Sequence, residues 1–144
     1  MHAWAEVFMR RSMRDFTLFL RQAGLSMPQA SALFRLHYSG RCAISDIAGH
    51  LGVTNAAASQ MVDRFVQQGL VERVEHPNDR RVRLISLSSH GRALIEQGIE
   101  ARRRWMDALP CHITPDQQQT IITALRQLAS AAHELDGERV PGQD

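Results

Sequence analysis

The sequence predicts a mainly α-helical chain that carries one small β-hairpin, and three observations lead there. Apolar residues recur at helical spacing through most of the 144 residues. Between Gly69 and Leu87 that period changes from 3.6 to 2. Gly52-Val53-Thr54 separates two short amphipathic segments by no more than a tight turn. The length suits one domain, and an apolar content of 44% is enough to bury a core.

The first helix is expected over roughly Ala3 to Gln22. Met9, Met13, Phe16 and Leu20 form one stripe, and Trp4, Val7, Phe8, Leu18 and Phe19 widen it. A helix with more than one apolar face needs more than one packing partner. Gly24 stands in a C-cap position. Ser26 then acts as an N-cap, with Pro28 in the first turn and Gln29 three residues after the cap. That second helix carries Ala30, Leu33, Phe34 and His37 on one face and stops before Gly40. The stretch Arg41 to Ile44 is too brief for more than a minor strand. Ser45 is expected to cap a third helix with Ile47, Ala48 and Leu51 inward. Thr54 caps a fourth, Asn55 to Gln68, with Ala58, Met61, Val62 and Phe65 inward, and Gly69 ends it.

Alternation then places Val71 to Glu75 in one strand and Val82 to Leu87 in a second, joined by the turn-forming His76-Pro77-Asn78-Asp79. Ser88 or Ser89 caps a long helix reaching about Leu109, with Leu94, Ala101 and Trp105 on one side, until Pro110 breaks it. Thr114-Pro115-Asp116-Gln117 opens a last helix whose stripe is Ile121, Leu125, Leu128, Ala132 and Leu135. Residues 137–144 form a flexible tail by composition.

Several function classes lose ground at once. No apolar run approaches the roughly 20 residues that cross a bilayer, so no membrane partner is expected. Glu6, Arg10, Arg11 and Arg14 interrupt any signal-peptide core, so a cytoplasmic location is expected. Cys42 and Cys111 are the only cysteines and form no paired motif. The seven histidines, among them His2, His37, His112 and His133, show no tight ligand spacing, and His76 and His90 beside the strands read as surface residues or phosphate contacts. No metal or cofactor is expected. No nucleophile–base motif surrounds either cysteine, and Ser59 lies on a helix without an elbow, so an enzyme is not expected. Net charge is only +2, which says little about nucleic acid. All seventeen basic residues are arginine, a rigid fork for phosphates and guanine edges, although GC-rich codon usage gives the same bias.

The span from about Ile44 to Leu87 meets the demands of a winged helix-turn-helix. A bracing helix, a sharp turn and a presented helix are followed by a β-ribbon, which an ordinary helical hairpin does not explain. Ala48 is small where the two helices cross, and Gly52 accepts a positive φ. The fourth helix exposes Asn55, Ala56, Ser59, Gln60, Asp63, Arg64 and Gln67. The DNA-contacting residues expected are Ser45, Thr54, Asn55, Ala56, Ser59, Gln60 and Arg64, with Arg80, Arg81 and Arg83 on the wing. Gln60 suits adenine N6 and N7, Ala56 a thymine methyl, and Arg64 either a phosphate or a pairing with Asp63. Asp79 stabilises the wing by pairing with a neighbouring arginine or accepting turn N–H groups, while the two arginines reach a narrow groove.

With those residues in place the chain resembles the MarR (multiple antibiotic resistance regulator) family of bacterial transcription factors. The resemblance rests on Leu51-Gly52-Val53-Thr54, Ser59, Met61-Val62-Asp63-Arg64-Phe65 and Gly69-Leu70-Val71-Glu72-Arg73. Asp79-Arg80-Arg81, Leu87-Ser88 and Gly91 complete it, and helix order extends it over nearly the whole chain. Ala56 and Ala57 stand where the family is often polar, and Gln60 where a basic residue is common. The resemblance implies a single domain over residues 1–144: a winged lobe at 25–92, and dimerisation helices at 1–24 and 93–136. It also implies a homodimeric regulator, in most members a repressor, that binds a pseudo-palindromic double-stranded DNA operator and is released by a small aromatic effector. The effector pocket it implies is drawn from Trp4, Phe8, Met13, Phe16, His37 and Trp105, each of which also suits plain core or dimer packing. Two alternatives stand beside this. One is a thiol sensor at Cys42, with Arg41 lowering its pKa. The other is a winged helix that binds protein and not DNA.

Overall fold

Local chemistry sets most of the element boundaries. The computed structural model describes residues 2–76 and 79–136, with the side chains of residues 76, 79–82, 135 and 136 outside that description. The chain divides into two compact units, Met1–Arg103 and Arg104–Asp144. The first holds helices α1 (His2–Ala23), α2 (Met27–Ser39), α3 (Ile44–Leu51), α4 (Asn55–Gln67) and α5 (Ser89–Arg103), and strands β1 (Arg41–Cys42), β2 (Val71–His76) and β3 (Asp79–Leu87). The second holds a 3-10 segment, Arg104–His112, and α6 (Pro115–Asp136). The tail at 137–144 lies outside the described residues.

The caps explain why the helices start where they do. Ser26 Oγ accepts from the Gln29 N–H at 3.4 Å, and Gln29 Oε1 accepts from the Ser26 N–H at 2.8 Å, a reciprocal capping box. Thr114 and Gln117 repeat it before α6, at 2.9 and 3.3 Å. Thr54 Oγ1 accepts from the Ala57 N–H at 3.2 Å at the start of α4. Ser45 does not cap α3. The helix begins two residues earlier than a Ser45 cap would place it, Ala43 occupies the cap position, and Asp46 Oδ2 accepts from the Ala43 N–H at 2.9 Å. The acidic third residue thus supplies the returning half of a capping box, to the cap residue's own N–H, and Ala43 has no side-chain acceptor for the other half.

Two further expectations change. The helix after the hairpin ends at Arg103 and not near Leu109, and the chain continues as the 3-10 segment with Pro110 inside it. Pro110 lacks an N–H and crowds the carbonyl of Met106, so α geometry cannot run through this stretch. The stripe of α1 also splits. Phe16 and Leu20 are buried with Phe19 and Ser12, whereas Met9 and Met13 are exposed. A 22-residue helix is roughly 33 Å long, and only its part from Ser12 onward reaches the core of its unit.

The strands form one antiparallel sheet in the order β1-β3-β2. β1 is the brief strand anticipated from Arg41, with Arg41 opposite Ser86 and Cys42 opposite Ile85. β2 and β3 form the hairpin, Val71 opposite Leu87 through Glu75 opposite Arg83, with an irregularity between Glu75 and His76. Gly52 sits in the left-handed region at φ +66°, which makes the turn into α4. Gly91 is required by space: an added Cβ would lie 2.0 Å from the Leu70 carbonyl oxygen. Ser88 Oγ donates to the Gly69 carbonyl at 2.6 Å and accepts from the Gly91 N–H at 3.0 Å, closing the base of the hairpin. Beneath the helix-turn-helix, Ile47, Ala48, Ala58, Val62 and Phe65 pack into one core with Leu33, Leu36, Ile85, Leu87 and Ile95.

Candidate nucleic-acid interface and effector cavity

The helix-turn-helix consists of α3, the Gly52-Val53-Thr54 turn and α4. Because Ala58, Val62 and Phe65 face the core, the opposite side of α4 is displaced toward solvent. Asn55, Ala56, Gln60 and Arg64 are exposed, Ser59 is half-buried, and Ser45 and Thr54 are exposed on the flanking α3 and turn. Seven of the residues anticipated for DNA therefore lie on α3, the turn and α4, six of them exposed and Ser59 half-buried. The Thr54 oxygen is engaged in capping, which leaves its O–H to donate outward.

Asp63 pairs with Arg73 of β2 and not with Arg64. Arg64 makes no ion pair among the described residues, so its guanidinium is available to a phosphate. The Asp63–Arg73 pair joins the presented helix to the wing strand, a link that sequence inspection did not single out. Arg83 is exposed on β3 opposite Glu75. The backbone of Asp79, Arg80 and Arg81 opens β3, while their side chains lie outside the described residues.

A second feature lies within the same unit. An open cavity of about 330 Å³ is lined by Phe16 of α1, Ala30, Ser31, Phe34, Arg35 and Tyr38 of α2, His50 of α3 and Arg102 of α5. Its walls are aromatic. Phe16 and Phe34 have ring centroids 5.7 Å apart, and Tyr38 stacks on Phe34 at 6.4 Å. The Arg102 guanidinium lies 3.9 Å from the Phe16 ring centroid and 4.8 Å from that of Phe34. Ser31 Oγ and His50 Nε2 are 3.0 Å apart on its lining. This combination suits a flat, negatively charged ligand of modest size.

Of the six pocket residues anticipated, Phe16 alone lines this cavity. Trp4, Phe8 and Met13 are exposed on α1, with Met13 in a shallow groove beside Arg10, Arg14 and Arg21. His37 is half-buried and meets Tyr38 edge-on at 5.2 Å. Trp105 belongs to the second unit and is half-buried. Arg102 and Tyr38 were not legible as lining of one cavity, because they are far apart in the chain.

Cys42 is buried, and burial pushes its thiol pKa up; the Asp46 carboxylate adds to the rise and Arg35 offsets part of it. Arg41, expected to activate the thiol, is not among the groups that move it. Cys111 is exposed. No helix among the described residues is long and apolar enough to cross a membrane.

The MarR family model matches residues 25–82, which covers α2 through the start of β3. The chain is 31% identical over 94 residues to the HTH-type transcriptional regulator YwhA of Bacillus subtilis, covering 65% of this chain and 68% of that protein. It is similar in structure to the transcriptional regulator Tm0710 of Thermotoga maritima, with a TM-score of 0.79 and 19% identity over 96% of this chain and 94% of the other. It is likewise similar to a mutant MarR of Escherichia coli crystallised with operator DNA, with a TM-score of 0.57 and 23% identity over 88% and 91% of the two chains. With its capped helix-turn-helix, its β-ribbon and these likenesses, the chain belongs to the MarR family of winged helix-turn-helix, DNA-binding transcription regulators.

Proposed function

We propose that the protein is a cytoplasmic homodimeric repressor that places α4 of each protomer in the major groove of one half of a pseudo-palindromic operator. The observation that carries this reading is the exposed face of α4, with Asn55, Gln60 and Arg64 presented over a buried Ala58-Val62-Phe65 face. The Asp63–Arg73 pair supports a fixed relation between that helix and the wing. Asn55, Ser59 and Gln60 read base edges, and Ala56 contacts a thymine methyl. Ser45, Thr54 and Arg64 hold phosphates, while Arg80, Arg81 and Arg83 bring charge to the flanking groove, with Asp79 steadying the tip. Repression is the habit of most of the family, and the likeness to a relative crystallised with operator DNA supports the DNA partner.

The dimer is supported by apolar residues that α1 and α6 leave exposed: Met9, Met13 and Leu18 on one, and Ile121, Ile122, Leu125 and Leu128 on the other. In a two-fold dimer the two recognition helices are separated by about 34–36 Å, one turn of DNA. The effector is a planar aromatic anion in the cavity of Phe16, Phe34, Tyr38 and Arg102, whose guanidinium supplies the charge. Thiol sensing is disfavoured, because burial and the Asp46 carboxylate raise the Cys42 pKa, which works against the reactive thiolate.

Titrating operator DNA against salt tests the interface. Arg81→Ala is expected to weaken binding and lower the slope of log K against log salt by about one. Unchanged affinity and slope would remove the wing arginine from the mechanism.

A further inference from the structure

We infer that His50, through its hydrogen bond to Ser31, is the positioning residue that lets the helix-turn-helix sense what occupies the cavity. The inference rests on the effector reading of that cavity and adds a route from it to DNA.

Ser31 lies on α2 and His50 on the last turn of α3, nineteen positions apart in the chain, and their Oγ and Nε2 atoms meet at 3.0 Å. Both line the cavity together with Arg35 and Arg102. His50 is exposed, so this bond is not locked in place by packing. Gly52 follows two residues later, in the left-handed turn, and Thr54 and Asn55 begin the presented helix. The imidazole is therefore joined to α2 by its side chain and to the turn by its backbone.

The chemistry supplies the competition. Ser31 and His50 satisfy one another with a single hydrogen bond, in which the hydroxyl or the imidazole N–H is the donor. A carboxylate or phenolate drawn in by Arg35 and Arg102 is a stronger acceptor than the serine hydroxyl or the imidazole. It takes the donor for itself and parts Ser31 from His50. The end of α3 then loses its tie to α2, and the turn that sets the entry angle of α4 changes its support. Occupancy and operator affinity become linked, and the linkage is reciprocal: DNA must weaken the ligand by the same factor.

The test uses the full-length protein, 4-hydroxybenzoate as the probe, and an operator fragment recovered by selection of bound genomic DNA. The probe dissociation constant is measured for free protein and for protein saturated with operator. In the wild type the two values are expected to differ by about tenfold. In Ser31→Ala and His50→Gln the ratio of the two constants is expected to fall toward one, whatever each change does to the probe affinity of the free protein, since each residue also lines the cavity. Ser31→Thr, which keeps the hydroxyl, should restore the ratio. A wild-type ratio in both Ser31→Ala and His50→Gln overturns the inference while leaving the cavity reading intact. Arg102→Ala separates the two ideas: loss of probe binding supports the cavity, and unaltered binding places the probe elsewhere and removes the route as well. A wild type that binds no probe overturns both.

Discussion

The two ends of this chain treat their apolar residues in opposite ways. In the unit ending at Arg103, Phe16, Leu33, Phe65, Ile85 and Ile95, from four helices and a strand, are all enclosed in one core. In α6 the same kind of residue stays open to solvent: Ile121, Ile122, Leu125 and Leu128 are 43, 42, 43 and 48% exposed. Both segments are well-formed helices, and α6 has as good a capping box as α2. The difference shows that caps and propensity specify a helix without specifying what it packs against. The first unit has a core of its own, whereas the apolar face of α6 calls for a second surface.

Three substitutions would break or sharpen that contrast. Phe65→Ala empties the centre of the first core and should cost about 3–5 kcal/mol in denaturant unfolding. A cost below about 1 kcal/mol would mean that this core is not what holds the winged lobe together. Leu125→Arg puts charge on the open face of α6. Sedimentation should show the dimer weakened by about thirtyfold, corresponding to about 2 kcal/mol, while the near-ultraviolet signal of the monomer stays native. A dimer of unaltered affinity would deny α6 its place in the interface. Thr54→Ala touches neither apolar surface. It removes the cap of α4 and should cost about 1 kcal/mol of stability, and operator affinity should fall because the N-terminal turn of α4 frays. Full operator affinity in this variant would show that the core alone holds that turn in place.

The winged module was legible because each of its parts carries a local signal. Ser26 and Thr54 are caps, Gly40, Gly52 and Gly69 take positive φ, and the change of period marks the hairpin. Where one local signal competed with another, the sequence misled. Ser45 is a good capping residue, but Asp46 one place on serves the end of α3 from within the helix. The long helix seemed to run to Pro110, whereas α geometry stops at Arg103. The spacing of Met9, Met13, Phe16 and Leu20 gives one stripe, yet only its later half meets the core.

The candidate sites divide in the same way. The exposed face of α4 follows from a helical wheel, since Asn55, Ala56, Gln60 and Arg64 all lie within one element. The cavity does not, because Phe16, Phe34, His50 and Arg102 come from four helices whose packing brings them together. Cys42 belongs to this second class too: its neighbour Arg41 suggested an activated thiol, but burial, Asp46 and Arg35 decide its protonation. By itself the sequence determined the helix-turn-helix, the wing and the polar face of α4, because caps, turn glycines and periodicity act over a few residues. Only the tertiary structure decided that Asp63 ties to Arg73, that Arg102 stacks on Phe16 and that Ser31 meets His50. Such contacts depend on where distant segments pass one another, and no local rule of hydrogen bonding or periodicity carries that information.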